Sequence, residues 1–220
     1  MYRALALFAL LITPAAAQDA ANQMPAKGSL GAVGQIAFSH KLFAQTAASK
    51  DTLAMLTAAR LAGAVDLNPV SRDAETSGTA TADQPDAHKA PLDSATMLAA
   101  TRALTAEDDT LIALLAEAET ANTLIRAGSA NVSQHTLPAG QSDSFKLPFD
   151  GEVLAEIAIV GDSDSNLDLT VTDAAGHMIC ADADPSDIAN CAFAAAETGY
   201  FTATVQNHGP GMNSYLLLSN

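Results

Sequence analysis

Tryptophan is absent from this 220-residue chain, aromatic residues make up only 5% of it, and there are two cysteines. The missing indoles and scarce aromatic rings disfavour the stacking platforms on which sugars are usually held. No HExxH pair, no G-x-S-x-G elbow and no glycine-rich phosphate loop occurs, so the motifs of zinc peptidases, α/β-hydrolases and nucleotide-binding enzymes are lacking. The five histidines, His40, His88, His135, His177 and His208, are scattered without metal-ligand spacing, and Ser133 near His135 is too generic to define a nucleophile. No catalytic residue and no cofactor-binding residue is assigned, and the chain is read as a non-enzyme.

Positive charge is also scarce. From Ser129 to Asn220 a single basic residue, Lys146, stands against 12 acidic ones, net −11, within a whole-chain net charge of −15. Such a surface repels nucleic acid and anionic membranes and suits cations or basic partners. Long apolar runs are missing too, apart from Ala4–Ile12 behind Arg3. That run is too short to span a bilayer, and the small residues Ala15-Ala16-Ala17 follow it. Residues 1–17 therefore read as a secretory signal peptide, which places the mature protein in the periplasm or outside the cell, with no transmembrane segment. In that compartment two cysteines predict a disulfide, Cys180–Cys191.

What is present divides the chain into two textures. Residues 18–29 are small and polar and read as a tether. Residues 30–128 carry helical periodicity: one helix over Leu30–Ala48, a second capped by Ser49 or Asp51 and running through about Val65, with Asn68-Pro69 as its stop, and a third capped by Asp93 and running through about Leu104. Thr105-Ala106-Glu107-Asp108 reads as a variant capping box opening a fourth, with Gly128 as its stop. The second and third helices match at an offset of 42 residues (Asp51, Met55, Leu56, Ala58 and Arg60 against Asp93, Met97, Leu98, Ala100 and Arg102), which suggests a bundle of helical-repeat type. Val70 to Pro91 has one large apolar residue and is expected to be a mobile loop.

From Ser129 onward periodicity switches to alternation. Strands are predicted near Gln134–Leu137, Ser142–Leu147, Val153–Val160, Leu167–Thr172, His177–Ala181, Ala189–Ala194, Gly199–Gln206 and Ser214–Ser219. The fold class is thus α+β, an N-terminal bundle of about four helices followed by an antiparallel β-sandwich or jelly roll of about eight strands. Within it Asp162, Asp164, Asn166 and Asp168 follow the alternate-oxygen spacing of calcium loops, and Asp182, Asp184 or Asp187 would join them if that loop folds nearby. Leu167 stands where an EF-hand needs glycine, so a cap on the local backbone turn is the competing reading.

Residues 129–220 resemble the pre-peptidase C-terminal domain, a small β-sandwich at the ends of many secreted bacterial proteins. The resemblance rests on Gly161-Asp162-Ser163-Asp164, Leu167-Asp168-Leu169-Thr170-Val171, Asp173, Gly176, Phe193-Ala194, Thr198-Gly199-Tyr200-Phe201, Val205 and Asn213-Ser214-Tyr215-Leu216. It implies export and an auxiliary role in secretion, folding or attachment, and some related collagen-binding modules bind calcium. No peptidase domain precedes the module here. The expected function is therefore an exported, non-catalytic binding or accessory protein of the bacterial envelope, contacting a protein rather than a polysaccharide. An inhibitor or folding partner of a separately encoded peptidase, or a hydrolase with an unrecognised interdomain site, are the alternatives.

Overall fold

A computed structural model of the chain describes residues 20–24, 30–81, 90–105, 108–121, 128–163 and 166–220. The predicted signal segment 1–17, His88, Asp164 and the putting together of the capping box at residues 106 and 107 lie outside them.

Eight of the strands fall where alternation places them. Among the described residues two five-stranded sheets face each other. Sheet A has the order β1-β3-β10-β5-β8, formed by Asp66–Pro69, Ser129–Leu137, Asn213–Ser219, Leu154–Val160 and Ile188–Ala194. Sheet B has the order β2-β4-β9-β6-β7, formed by Glu75–Gly78, Gln141–Phe149, Gly199–Asn207, Leu167–Thr172 and Met178–Asp182. In β6 the alternation reads directly as burial: Leu167, Leu169 and Val171 are buried, and Asp168, Thr170 and Thr172 are half-buried. Between the sheets lies one apolar core that includes Phe145, Phe149, Phe193, Phe201 and Tyr215. Phe193 and Phe201 stack with ring centroids 4.9 Å apart, a tilted geometry that the ring quadrupoles favour.

The segment after the second helix differs from expectation. Residues 66–78, polar and without alternation, supply β1 and β2, so part of the stretch read as a mobile loop is strand; residues 82–89 lie outside the described ones. β1 pairs with β3 in parallel, Asp66 opposite Ser129, and β2 pairs antiparallel with β4, Glu75 opposite Ser144. The chain crosses from one sheet to the other between them, so each sheet gains an edge strand held by backbone pairing rather than by side-chain burial. The tether is also docked where it is described. Met24 bridges Ala194, and the Asn22 side chain exchanges hydrogen bonds with the backbone of Glu197 at 3.0 and 2.8 Å.

The described residues form four helices, α1 (Ala32–Ser49), α2 (Thr52–Gly63), α3 (Ser94–Leu104) and α4 (Asp109–Ala121). Asp51 and Asp93 cap α2 and α3, accepting from the N–H groups of Ala54 and Thr96. Their repeat-matched partners occupy one apolar cluster: Met55, Leu56, Met97 and Leu98 are all buried there, with Phe43, Leu115 and Ala118. The fourth cap corrects the sequence reading. Asp108, not Thr105, accepts from the N–H groups of Thr110 and Leu111, while the Thr105 hydroxyl donates back to Thr101 O at the end of α3.

α1 lies on the outer face of sheet A, where Val33, Ile36 and Ala37 pack on Ala158, Val160, Ile188 and Leu218. Its start is held by a carboxylate from the sheet. Glu156 Oε1 accepts from Gly31 N at 2.8 Å and Gly34 N at 3.3 Å, which complements the positive end of the helix. A β-carbon at Gly31 would overlap that carboxylate, and one at Gly34 would sit 2.8 Å from Glu156 Oε1. The two glycines that weaken the helix by propensity are thus required by close approach.

Cys180 and Cys191 form a disulfide. They lie on β7 and β8, the edges of opposite sheets, so the bond closes the open side of the sandwich instead of joining paired strands. Reduction is expected to destabilise the protein by about 3 kcal/mol on the chain-entropy estimate. Denaturant melts with and without reductant, read beside an intact-mass gain of two hydrogens, check this.

Candidate functional site

The two outer faces of the sandwich have different fates. Sheet A is covered by α1, which packs on β3, β5 and β8. Sheet B presents outward rows set by register. Ser144, Thr204 and Thr170 lie side by side across β4, β9 and β6, and Lys146, Thr202 and Thr172 form the next row. The Ser144 and Thr204 hydroxyls are 3.2 Å apart. Tyr200, 58% exposed, stands at the end of this face beside Pro148.

Two open grooves meet there. One, of about 650 Å3, is lined by Lys146, Thr172, Asp173, Gly176, Tyr200 and Thr202. The other, of about 630 Å3, runs from the crossover at Val70–Glu75 along Ser144–Pro148 to Thr202 and Asn220. They share Lys146 and Thr202. Lys146 is exposed and forms no ion pair among the described residues.

The floor of the first groove is tied together by hydrogen bonds to one carboxylate. Asp173, buried in the turn after β6, accepts from the backbone N–H of Asn22, Ala175 and His177 at 2.9 Å each and sits 3.0 Å from His177 Nδ1. Burial pushes its pKa up, but these hydrogen bonds together outweigh it and hold the group at about 2.

Beneath the second groove lies a polar network. Arg72 donates to Ser133 Oγ (3.1 Å), Leu217 O (3.0 Å) and Ser219 Oγ (2.7 Å). Ser133 Oγ is also 2.8 Å from His135 Nε2. The nearby acid does not complete a triad. Asp143 accepts from the Tyr215 hydroxyl at 2.7 Å and from Thr76 Oγ1. Ser133 is 6% exposed with a guanidinium donating to its oxygen, and burial first of all lowers the His135 pKa. The arrangement anchors the crossover instead of activating a nucleophile.

A third groove, about 350 Å3, separates the helices from sheet A and is lined by Ile36, His40, Leu92 and Leu216 among others. His40 is 7% exposed, and burial lowers its pKa to about 4.

Of the predicted calcium residues, Asp162 is buried at the end of β5 and accepts from Ser214 N at 3.1 Å. Asn166 accepts through its carbonyl from His208 N at 2.9 Å, and Asp168 Oδ2 is 3.2 Å from His208 Nε2. Asp182 and Asp184 are directed elsewhere, toward Lys41 of α1 at 3.2 and 3.9 Å. Asp187 accepts from Ser163 N, and its carbonyl accepts from Gly161 N at 2.8 Å. Among the described residues no three His, Cys, Asp or Glu side chains converge as a metal site. The described residues also include no helix long and apolar enough to cross a membrane.

Arg72, Asp143 and Glu156 carry no sequence motif. Only their isolation hints at them: Arg72 is a lone cation in a polar stretch, and Glu156 a lone acid in the apolar run Leu154–Val160.

No family model matches the chain, and no curated protein matches it. Among solved structures it is similar to the C-terminal CBM6 of LamC, a marine laminarinase from Zobellia galactanivorans. That match has 10% identity and a TM-score of 0.26, over 40% of this chain and 90% of that one. It is also similar to the carbohydrate-binding module CBM6cm-2 of Cellvibrio mixtus lichenase 5A, solved with cellotriose, at 13% identity and a TM-score of 0.25 over 40% and 86%. At these scores the likeness carries no argument about what this chain binds.

Proposed function

We propose that this is an exported, non-catalytic binding protein of the bacterial envelope, engaging a protein partner through the outer face of sheet B. The observation that carries the reading is the asymmetry of the sandwich: α1 covers sheet A, whereas Lys146, Thr172, Tyr200 and Thr202 line two joined grooves on sheet B. Among the described residues Tyr200 is the one large exposed aromatic of that face, too few rings for a sugar-stacking platform, so a protein is favoured over a polysaccharide. The resemblance of residues 129–220 to pre-peptidase C-terminal domains supports export and an accessory role. The chain lacking residues 1–17, used as bait on native envelope extract and in parallel on insoluble cell-wall polysaccharide, tests this. A protein retained by the bait and lost on Thr172→Arg/Thr202→Arg is the expected result. Retention of polysaccharide alone, or retention indifferent to that double substitution, overturns the reading.

A calcium role is proposed beside it. Among the described residues Asn166 Oδ1, Asp168 Oδ1 and the Oδ1 of the fully buried Asn213 have no hydrogen-bond partner. Buried oxygens in that condition suit a hard cation, which takes six to eight of them. Asp162, Asn166 and Asp168 would hold it with Asp164, which the sequence spacing adds. Calcium at 100 times its Kd is expected to stabilise the protein by about 2.7 kcal/mol, and chelator to remove that gain. A melting temperature unchanged by either excludes it.

A further inference from the structure

Among the described residues the edge of β4 is open where the second groove runs. β9 pairs with β4 from Ser142 to Phe149, but β2 pairs with it only from Gln141 to Ser144. Past Ser144 the crossover leaves the line of β2, because Arg72 is tied to Ser133, Leu217 and Ser219 of sheet A and Val70 N donates to Val132 O at 2.8 Å. Among the described residues no strand covers the far edge of Phe145–Phe149, and Phe145, Lys146, Leu147 and Pro148 line the groove beside it.

Pro148 gives the direction of the backbone groups. It pairs opposite Tyr200 of β9, and a proline within a sheet is tolerated where its nitrogen faces away from the neighbouring strand. Because strand groups alternate with period two, Lys146 shares that edge: its N–H and C=O, and the C=O of Pro148, face the groove. A row of unpaired backbone donors and acceptors is a template for another backbone.

We infer that this groove takes an extended peptide segment of the partner protein, added to sheet B as a strand along Lys146–Phe149. The inference rests on the protein-binding reading above and narrows it. Backbone-to-backbone pairing supplies the affinity, as in strand addition generally, and neither a glycan nor a nucleic acid offers the alternating amide pattern it requires. The Lys146 ammonium, in no ion pair among the described residues of an acidic domain, places an acidic side chain of the peptide opposite it, since opposite charges facing across paired strands attract. Arg72 acts as a positioning residue, holding the far wall of the groove away from β4.

Hydrogen exchange on the full chain, followed by panning with a random heptapeptide library, tests the inference. In the free protein the Lys146 amide is expected to exchange at least about 100-fold faster than those of Phe145 and Leu147, which are bonded within the sheet. Selected heptapeptides should be enriched in Asp or Glu, slow Lys146 exchange about tenfold or more, and bind at least about fivefold more weakly to Lys146→Pro, which deletes the groove-facing N–H. A Lys146 amide as protected as its neighbours, a library that yields no peptide slowing it, or peptides indifferent to Lys146→Pro overturns the inference. The exchange measurement stands without the variant should Lys146→Pro fail to fold. If the envelope protein retained by the bait still binds Lys146→Pro yet is lost on Thr172→Arg/Thr202→Arg, the strand-addition inference falls and the protein-binding reading survives.

Discussion

Tyr215→Ala is expected to cost about 3–5 kcal/mol of folding stability, and Tyr215→Phe about 2 kcal/mol. The ring is fully buried at the centre of the sandwich, 5.5 Å from the His135 ring, and its hydroxyl donates to Asp143 at 2.7 Å. Asp143 is itself 2% exposed, so the loss of that donor strands a buried carboxylate oxygen. Burial, and after it the bond to Asp143, pushes the tyrosine pKa far above its ordinary value, so the hydroxyl remains a donor at every working pH. The alanine variant adds a cavity to the same loss. Urea denaturation of the two variants separates the contributions, because the difference between them is the ring and the phenylalanine deficit is the hydrogen bond. A Phe variant as stable as the parent would show that Asp143 has another donor.

Mild acid is expected to remove about 3 kcal/mol between pH 6.5 and pH 4 through His40 alone. Its folded pKa lies near 4, below the unfolded value of 6.5, and the cause is burial. In that window the unfolded chain binds a proton that the folded chain refuses, so stability falls as pH falls and is fully restored above pH 6.5. Asp173 works in the same direction at lower pH: with a folded pKa near 2, its contribution is present above the ordinary carboxylate range and lost below it. Chemical denaturation at pH 7 and pH 4.5 reads the first effect. In His40→Leu the slope between these pH values should flatten, and an unchanged slope would assign it to another group.

These two sites illustrate what the sequence could and could not disclose. Alternation in Leu167–Thr172 and Gly199–Asn207 identified core and surface residues because burial on one face of a sheet writes a period of two. Asp51 and Asp93 were legible as caps since a helix start needs a local acceptor. The strands Asp66–Pro69 and Glu75–Gly78 were not legible, as exposed edge strands are chosen by partner backbone and have no apolar pattern. Glu156 and Arg72 act across 125 and 61 residues of sequence, on Gly31 and Ser133 respectively, and no local rule links such pairs. The disulfide was predicted from an even cysteine count and an expected exported compartment, but its placement across two sheets depends on topology. Most important for function, alternation shows that sheet B has a polar face and cannot show that α1 covers the other sheet.

The same asymmetry defines the decisive measurement. A photo-crosslinking amino acid placed at Tyr200, on the free face, is compared with one at Leu53, 56% exposed on α2, in the native envelope. Crosslinking of a discrete protein from position 200 and not from position 53 is the predicted result. Adducts from position 53 alone, or none from position 200, would contradict the assignment of the sheet B face as the binding surface.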